Sequence, residues 1–396
     1  MAAQLGYPVY DADNHLYEPQ EALLSHLPRR FKKDVQYVQV NGRTKLALCG
    51  QISDYIPNPT FEVVAPPGVH EKWYRGQNTE GLSLRELSGT PEKCRDAYRA
   101  PEPRLRLMDE QGLDATLMFP TLASAIEERM GHDHELVHAV IHSLNEWILE
   151  VWGFVYRGRI FSTPIVTLMD VEMAVQELEF CLKNGARTVL VRPAPVPGYR
   201  GSRSFGLPDF DPFWARVAEA GIFVSMHASD SGYDRIARMW QGGSEFRPFE
   251  PDPFKLMLGF SSRAISDSIS ALVCHGVFDR HPKVRVASIE NGCNWMKTLV
   301  SRFNHVYGQM PKEFKRHPIE TLQRHIFVSP FYEEPIREVA NLVGVSQILF
   351  GSDFPHPEGL ARPVEFLKEL VDFGPEDQRR IMGGNLKALL DGAPLH

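Results

Sequence analysis

The stretch VYDADNHLYEP, residues 9–19, decides the fold class of this chain. Its apolar beginning predicts a first β-strand at Pro8–Ala12, and the polar residues Asp13 and His15 follow directly. In a doubly wound nucleotide-binding sheet, the first strand leads into a Gly-rich phosphate turn. The stretch contains no glycine, so it favours the other common α/β architecture, a (β/α)8 TIM barrel.

The remainder of the chain repeats a strand–helix alternation from about residue 100 onward. The predicted further strands are Ala115–Phe119, Ile160–Val166, Thr188–Val191, Ile222–Met226, Val284–Ile289, His325–Val328 and Gln347–Phe350. With the first strand they make eight, the number in a (β/α)8 barrel. We therefore expect one α/β barrel domain over residues 1–396. Residues 17–100 interrupt the alternation after strand 1, and an insertion of this length predicts a lid or inserted subdomain.

The composition of the chain limits the kinds of molecule that it is expected to bind. The 396 residues are 43% hydrophobic and 23% charged, which is typical of a globular protein in solution. A net charge of -7 excludes a nucleic-acid-binding surface as the main function. The chain has no apolar run long enough for a bilayer and no signal-peptide pattern at MAAQLGYPVYDAD. The five cysteines form no CxxC pair, so we expect reduced thiols and a cytoplasmic location. Separately, the expected binding partner is a small-molecule substrate.

Four polar residues follow predicted strands and have the chemistry of metal ligands. They are Asp13 and His15, His227 in IFVSMHASD, and Asp353 in ILFGSDFPHPEG. The carboxyl ends of barrel strands meet on one face, where barrel enzymes build their active sites. Two imidazoles and two carboxylates suit one divalent ion, with Zn²⁺ as the first expectation and Mn²⁺ or Fe²⁺ as alternatives.

These motifs resemble the amidohydrolase superfamily. Asp-x-Asp-x-His on strand 1, a histidine ending strand 5 and GSDFPH ending strand 8 are most similar to its amidohydrolase-related branch, which includes aminocarboxymuconate-semialdehyde decarboxylase and the resorcylate-type decarboxylases. The resemblance implies a barrel with a single divalent metal and a homo-oligomer, a dimer or larger. It also implies that the metal binds either water or a carboxylate of the substrate.

Two positions depart from the pattern of that family. Arg192 stands where binuclear members carry a bridging carboxylated lysine. A guanidinium repels a second cation and can bind a carboxylate, so it predicts a mononuclear site and a carboxylated substrate, the alternative being a salt bridge to an acidic neighbour. Glu290 stands where a histidine is usual, and we expect it to transfer protons unless it only pairs with a loop arginine.

The resemblance and the sequence also suggest roles for two flanking residues. His356 lies three residues after Asp353, where it either transfers a proton or orients that carboxylate. Trp295 either contacts the substrate or packs the loops. His134, His138 and His142 have the spacing of a helical zinc site, but interleaved apolar residues favour an ordinary amphipathic helix.

Two reactions follow from the resemblance. In hydrolysis, Asp353 accepts a proton from metal-bound water, and Glu290 or His356 delivers it to the leaving group. In non-oxidative decarboxylation, Arg192 and the metal hold a carboxylated ring while a protein acid protonates it. The expectation narrowly favours a hydrolase acting on a carbonyl or amide bond of a small carboxylated cyclic molecule. A carboxy-lyase and a catalytically silent binding barrel are the alternatives.

Overall fold

The chain has an α/β fold with two parallel sheets. The computed structural model describes residues 5–242 and 250–393. The first sheet contains, in spatial order, Tyr10–Leu16, Ala115–Pro120, Ile160–Ser162 and Val155–Tyr156. The second contains Thr188–Leu190, Phe223–His227, Val286–Ile289 and Ile326–Val328. All neighbours pair in parallel except Val155–Tyr156, which runs antiparallel to its neighbour.

The first strand is longer than the sequence predicts. It extends to Leu16, so Asp13 and His15 lie within the strand rather than in the loop after it. The cause is pairing with the strand Ala115–Pro120, which continues to the level of Leu16 after an irregularity between Asp11 and Asn14. The six other predicted strands that pair in these sheets begin or end a few residues away from the predicted bounds.

The eighth predicted strand, Gln347–Phe350, is not a regular strand. Ile348 forms only an isolated parallel bridge with Val328, and the amide of Phe350 donates to Ile381 O instead of to a neighbouring strand. Further single bridges join Ile165 to Leu190 and Asn14 to Phe354. The described residues thus form two four-stranded sheets with isolated bridges between their edges, and not one continuous closed sheet.

Helices cover the sheets on their outer side. The longer ones are Pro101–Gln111, His134–Val151, Val171–Lys183, Asp211–Ala220, Asp234–Gln241, Phe260–Cys274, Trp295–Gln309, Pro318–His325 and Ile336–Val343. Short helices are Glu21–Leu24, Glu71–Tyr74, Leu84–Leu87, Ile126–Met130, Pro253–Leu258, Val277–Arg280, Pro375–Arg379 and Asn385–Leu390. Gly221 ends the helix Asp211–Ala220 at a φ of 70°, which favours glycine. Among the described helices, none has the length and apolarity needed to cross a membrane.

Residues 17–100 form small secondary structure of their own beside the sheets. Three antiparallel strands, Val35–Val40, Arg43–Leu48 and Gln51–Ser53, make one small sheet, and Val63–Val64 pairs with Glu92–Lys93 in another. The two ends of this segment are held together, because the amide of Tyr17 donates to Tyr98 O. We refer to residues 17–100 as the insertion.

Candidate metal centre

Two imidazoles and three carboxylates converge where the strands of both sheets end. His15 Nε2 lies 3.1 Å from His227 Nε2 and 3.4 Å from Asp13 Oδ1. Glu290 Oε2 lies 3.0 Å from His227 Nε2 and 3.5 Å from His15 Nε2, and Asp353 Oδ1 also lies 3.5 Å from His15 Nε2. The structure therefore brings together all four predicted ligands, and it adds Glu290 to them. We call these five residues the ligand cluster.

The chemistry of the ligand cluster fits a divalent cation. Asp13 Oδ1 is buried and accepts no hydrogen bond from the described residues. Leaving a carboxylate oxygen buried without a partner is costly unless a cation neutralises it. The imidazole nitrogens of His15 and His227 and one oxygen each of Asp13 and Glu290 lie within 4.8 Å of one another, and Asp353 lies within the same distance of His15 and Glu290, so these residues provide the donors for such an ion.

Hydrogen bonds orient both imidazoles toward the centre of the cluster. The Nδ1 atom of His227 lies 2.8 Å from Ala228 O, an acceptor, so Nδ1 carries the proton. Thr121 donates its hydroxyl proton to Leu16 O at 3.0 Å and can therefore only accept from His15 Nδ1, 3.3 Å away. In both rings this leaves the Nε2 lone pair directed at the other ligands, as metal binding requires. The sequence did not single out Thr121, although it lies two residues after the predicted strand Ala115–Phe119.

A buried network holds the first and last ligand segments together. Asp11 accepts from the amide of Ser352 at 2.9 Å, from its hydroxyl at 2.5 Å and from Asn14 Nδ2 at 2.7 Å. Arg104 is fully buried and donates to Asn14 Oδ1 at 2.9 Å and to His15 O at 2.5 Å. These contacts position Asp353 and His15 relative to each other.

Two of the ligand-cluster residues have unusual backbone conformations. Glu290 and Asp353 adopt φ values of 53° and 56°, in the left-handed region that non-glycine residues rarely occupy. Each follows a buried apolar run, Val286–Ile289 or the segment ending at Phe350. Such conformations concentrate at functional sites, where the surrounding structure imposes them. The turn at Glu290 accompanies the approach of its carboxylate to the ligand cluster, where the sequence predicts a proton carrier rather than a ligand.

The charges of the cluster shift its pKa values strongly. Burial alone lowers the pKa of His227, but Glu290 and Asp13 outweigh burial and raise that pKa to about 10. Burial raises the pKa of Asp353 well above its usual range, and the charges of Glu290 and Asp13 add to this. In the metal-free protein, protons therefore occupy the place of a cation, and a divalent ion must displace them.

His356 is placed beside Asp353. Its Nδ1 lies 2.7 Å from Asp353 Oδ1, and its ring contacts that of His15 with centroids 4.0 Å apart and planes tilted by 31°. Burial lowers the pKa of His356 well below its usual value, so the ring is neutral at pH 7. The contact is compatible with both predicted roles, proton transfer and orientation of the carboxylate.

Arg192 and Trp295 make their polar contacts with residues outside the ligand cluster. Arg192 pairs with Glu128, lies 3.9 Å from Glu127 and borders a void of only about 30 Å³ behind His227. These contacts of Arg192 match the alternative expectation, a salt bridge to an acidic neighbour. Trp295 is buried at the start of its helix and donates to Gly292 O at 2.9 Å, and it does not line the cavities described next. We therefore do not propose Arg192 or Trp295 as a substrate contact.

Cavities reach the ligand cluster from two sides. One of about 370 Å³ is lined by Asp13, Glu290 and Asp353, and another of about 310 Å³ by His15, His227, Glu290 and His356. Their volumes lie in the range of small-molecule sites. By contrast, the histidines of the helix His134–Val151 do not converge on one point. His138 accepts a hydrogen bond from the amide of Asp170 at 3.3 Å, and His142 pairs with Glu177.

Comparison with known proteins agrees with this geometry. The family model for amidohydrolases matches residues 11–391. The chain belongs to the amidohydrolase family. A crystallised amidohydrolase from Mycobacterium avium subsp. paratuberculosis K-10 is 41% identical, with a TM-score of 0.92 over 97% of this chain and 98% of that one. The expectation of an amidohydrolase-related enzyme is thereby confirmed.

More distant relatives of this amidohydrolase are decarboxylases. The 5-carboxyvanillate decarboxylase of Sphingomonas paucimobilis has 13% identity and a TM-score of 0.61 over 97% of this chain and 99% of that one. A dihydroxybenzoic acid decarboxylase from Polaromonas sp. JS666, solved with bound manganese, has 17% identity and a TM-score of 0.57 over 82% and 92%. A 2-amino-3-carboxymuconate-6-semialdehyde decarboxylase of Dictyostelium discoideum is 20% identical over 54% of this chain. That match spans 56% of the Dictyostelium protein, little more than half its length.

Proposed function

We propose that this amidohydrolase is a metal-dependent carboxy-lyase that removes CO₂ from a small cyclic carboxylate. The observation that supports it most is the ligand cluster, which offers donors for one ion at the junction of two cavities. The decarboxylase relatives support this reaction more than the hydrolysis that the sequence narrowly favoured. The substrate would be carboxylated and cyclic, as the names of the dihydroxybenzoic acid and 5-carboxyvanillate decarboxylases indicate for those two proteins.

We further propose that Asp13, His15, His227 and Asp353 hold the ion, with Glu290 as an additional ligand. When bound, a divalent ion supplies positive charge that binds and polarises oxygen atoms of the substrate. Three carboxylates make this a harder donor set than the four ligands predicted from sequence, which favours Mn²⁺ over Zn²⁺. Manganese in the dihydroxybenzoic acid decarboxylase agrees with this choice.

Asp353 is the proposed proton donor. Decarboxylation needs a proton on the ring carbon that bears the carboxylate. The bond from that carbon to the carboxylate then breaks, its electron pair returns to the ring, and CO₂ leaves. Asp353 borders the larger cavity and contacts His356, so it is placed to pass this proton to the ring carbon. His356 Nδ1, at 2.7 Å, orients the Asp353 carboxyl and can return a proton to it after each turnover.

We also infer that the two sheets belong to one (β/α)8 barrel, closed by the single bridges at Leu190, Ile348 and Phe354. The residues of the ligand cluster come from both sheets and meet at the carboxyl ends of their strands, as they do in barrel enzymes. Within this single domain the insertion would serve as a lid, because it lines the second cavity. A homodimer remains the proposed assembly.

Hydrolysis is the second candidate, and one observation favours it. The larger cavity is lined by eight acidic residues and one basic residue, Lys255, which disfavours a polyanionic substrate. Glu290 would then accept a proton from water, as a carboxylate close to a metal ion can.

Two measurements test the proposed function. Metal analysis by plasma mass spectrometry should find about one divalent ion per chain in wild type and none after His227→Ala combined with Asp13→Ala. Mn²⁺-loaded protein is then assayed for CO₂ release from 2,6-dihydroxybenzoate, 5-carboxyvanillate and related ring carboxylates. Asp353→Asn should lower turnover by about 10²-fold or more, whereas Asp372→Asn, at an exposed position, should not. Turnover of ester or lactone substrates without any CO₂ release would instead establish the hydrolase.

A further inference from the structure

The two cavities at the ligand cluster differ in chemical character. The larger one is bordered by the carboxylates of Asp230, Asp234 and Glu333 and by several aromatic rings. The smaller one is lined on its outer side by apolar residues of the insertion, among them Ile56, Phe61, Val64 and Ala65. Apart from the phenols of Tyr17 and Tyr55, the ionisable groups that line the smaller cavity belong to the ligand cluster or are those of His356 and Glu358. The difference predicts that the two cavities receive different parts of a ligand.

A continuous stack of rings forms one wall of the smaller cavity. Phe61 stacks on Tyr17 with centroids 4.5 Å apart and an interplanar angle of 9°. Tyr17 stacks on His356 at 5.7 Å, and the His356 ring contacts that of His15 at 4.0 Å with tilted planes. Phe61 occupies this place with a φ of 48°, which is rare for a residue other than glycine and is typical of ligand sites. The stack leads from the insertion directly to a residue of the ligand cluster.

Tyr55 stands between the two cavities. The residues common to both linings are Tyr55, Ala228, Glu290 and Glu358. Tyr55 is the only aromatic residue among them, and it comes from the insertion. Its pKa is raised well above the usual value by burial, so the phenol is neutral and forms a partition without adding charge.

We propose that the cavity lined by the insertion binds an apolar arm of the substrate and that Tyr55 confines the arm to it. The reacting group would lie at the ligand cluster, and the arm would extend along the stack formed by Tyr17 and Phe61. The substrate class is therefore a ring carboxylate with an apolar substituent, and Tyr55 determines specificity. The placement of the reacting group rests on the proposed function, whereas the apolar arm site does not need a metal or a reaction.

Neutral probes can test the arm site separately from the chemistry. Phenol and 4-butylphenol are titrated calorimetrically into metal-free and metal-loaded protein, and the ratio of their dissociation constants is the readout. In wild type, 4-butylphenol should bind at least tenfold more tightly than phenol. Ala65→Phe, which fills the cavity lined by the insertion, should reduce this gain to below threefold. Ser261→Phe adds a ring to the larger cavity and should leave the gain unchanged.

A second pair of variants tests the partition. With Tyr55→Ala the butyl group of the probe can enter either cavity, so adding Ala65→Phe should no longer remove the affinity gain of 4-butylphenol over phenol. With Tyr55→Phe, which keeps the ring, Ala65→Phe should still remove it. Val64→Phe replaces Ala65→Phe if that variant does not fold by circular dichroism. A gain that is absent in wild type, insensitive to both filling variants, or lost with Ser261→Phe overturns the proposal. Failure to bind metal with the gain intact would refute the proposed function alone.

Discussion

Replacing Arg104 with methionine should destabilise the protein and loosen the ligand cluster. Arg104 is fully buried and donates to Ala97 O at 2.7 Å, to Asn14 Oδ1 and to His15 O. Burial lowers the pKa of Arg104 to about 10, so the guanidinium is charged at pH 7. Methionine has a similar length but no donor, so the acceptors on Asn14 and His15 would stay buried without partners.

The expected loss follows from those two acceptors. A buried acceptor without a partner costs about 1–3 kcal/mol, which gives about 2–6 kcal/mol for two. Relief of the desolvation of the buried guanidinium offsets part of this, so we expect a net loss of about 3 kcal/mol. Urea unfolding of metal-free protein, followed by tryptophan fluorescence, measures it. Arg106→Met, at an exposed position of the same helix, is the control and should change stability by less than about 0.5 kcal/mol.

The same variant has a functional readout. Because His15 O loses its hydrogen bond, the imidazole is less well positioned, and metal affinity should fall about tenfold or more. A loss of stability below about 1 kcal/mol, or one equal to that of Arg106→Met, would show that the Arg104 contacts do not hold the first ligand strand in place.

Three further perturbations test the ligand cluster and the pH response of the fold. Thr121→Val removes the acceptor for His15 Nδ1 and should weaken metal binding by about 10–100-fold, and Thr121→Ser should restore it. Equal metal affinities of Thr121→Val and wild type would show that Thr121 does not set the tautomer of His15. Glu290→Gln should lower metal affinity at least about tenfold if Glu290 is a ligand, whereas full metal content with lost turnover would make it only a proton carrier. Burial lowers the pKa of His138 to about 4. Below about pH 6.5, His138 is therefore protonated in the unfolded chain but stays neutral in the folded chain. The free energy of unfolding falls as the pH drops toward 4, by up to about 3 kcal/mol. His138→Gln should flatten that fall in urea midpoints between pH 7 and 4.5, and His134→Gln, at an exposed position, should not.

The ligands that could be predicted share one property. Asp13, His15, His227 and Asp353 lie in or just after apolar strand segments, and parallel strands bring their carboxyl ends to one face. Their identity and order along the chain were therefore enough to predict both the cluster and the family. The predicted helix of His138 and His142 was also confirmed as an ordinary amphipathic helix, because its apolar residues repeat with helical period.

The positions of other side chains depended on contacts between distant segments. The sequence predicts Glu290 as a proton carrier beside the metal, whereas its position as a further possible ligand, 3.0 Å from His227 Nε2, depends on a left-handed turn and on a neighbouring strand. Arg192 pairs with Glu128, 64 residues earlier in the chain, a partner that the sequence does not identify. Trp295 turns inward with its helix and bonds to Gly292.

The sequence by itself thus determined which residues can bind a metal and roughly where their strands end, since hydrophobic patterning and residue chemistry are local properties. Only the tertiary structure decided which atoms face each other, because backbone turns, strand pairing and the choice of ion-pair partner depend on residues far apart in the chain. The Nε2 orientation of His15, set by Thr121 across 106 residues, and the partition formed by Tyr55 belong to this second class.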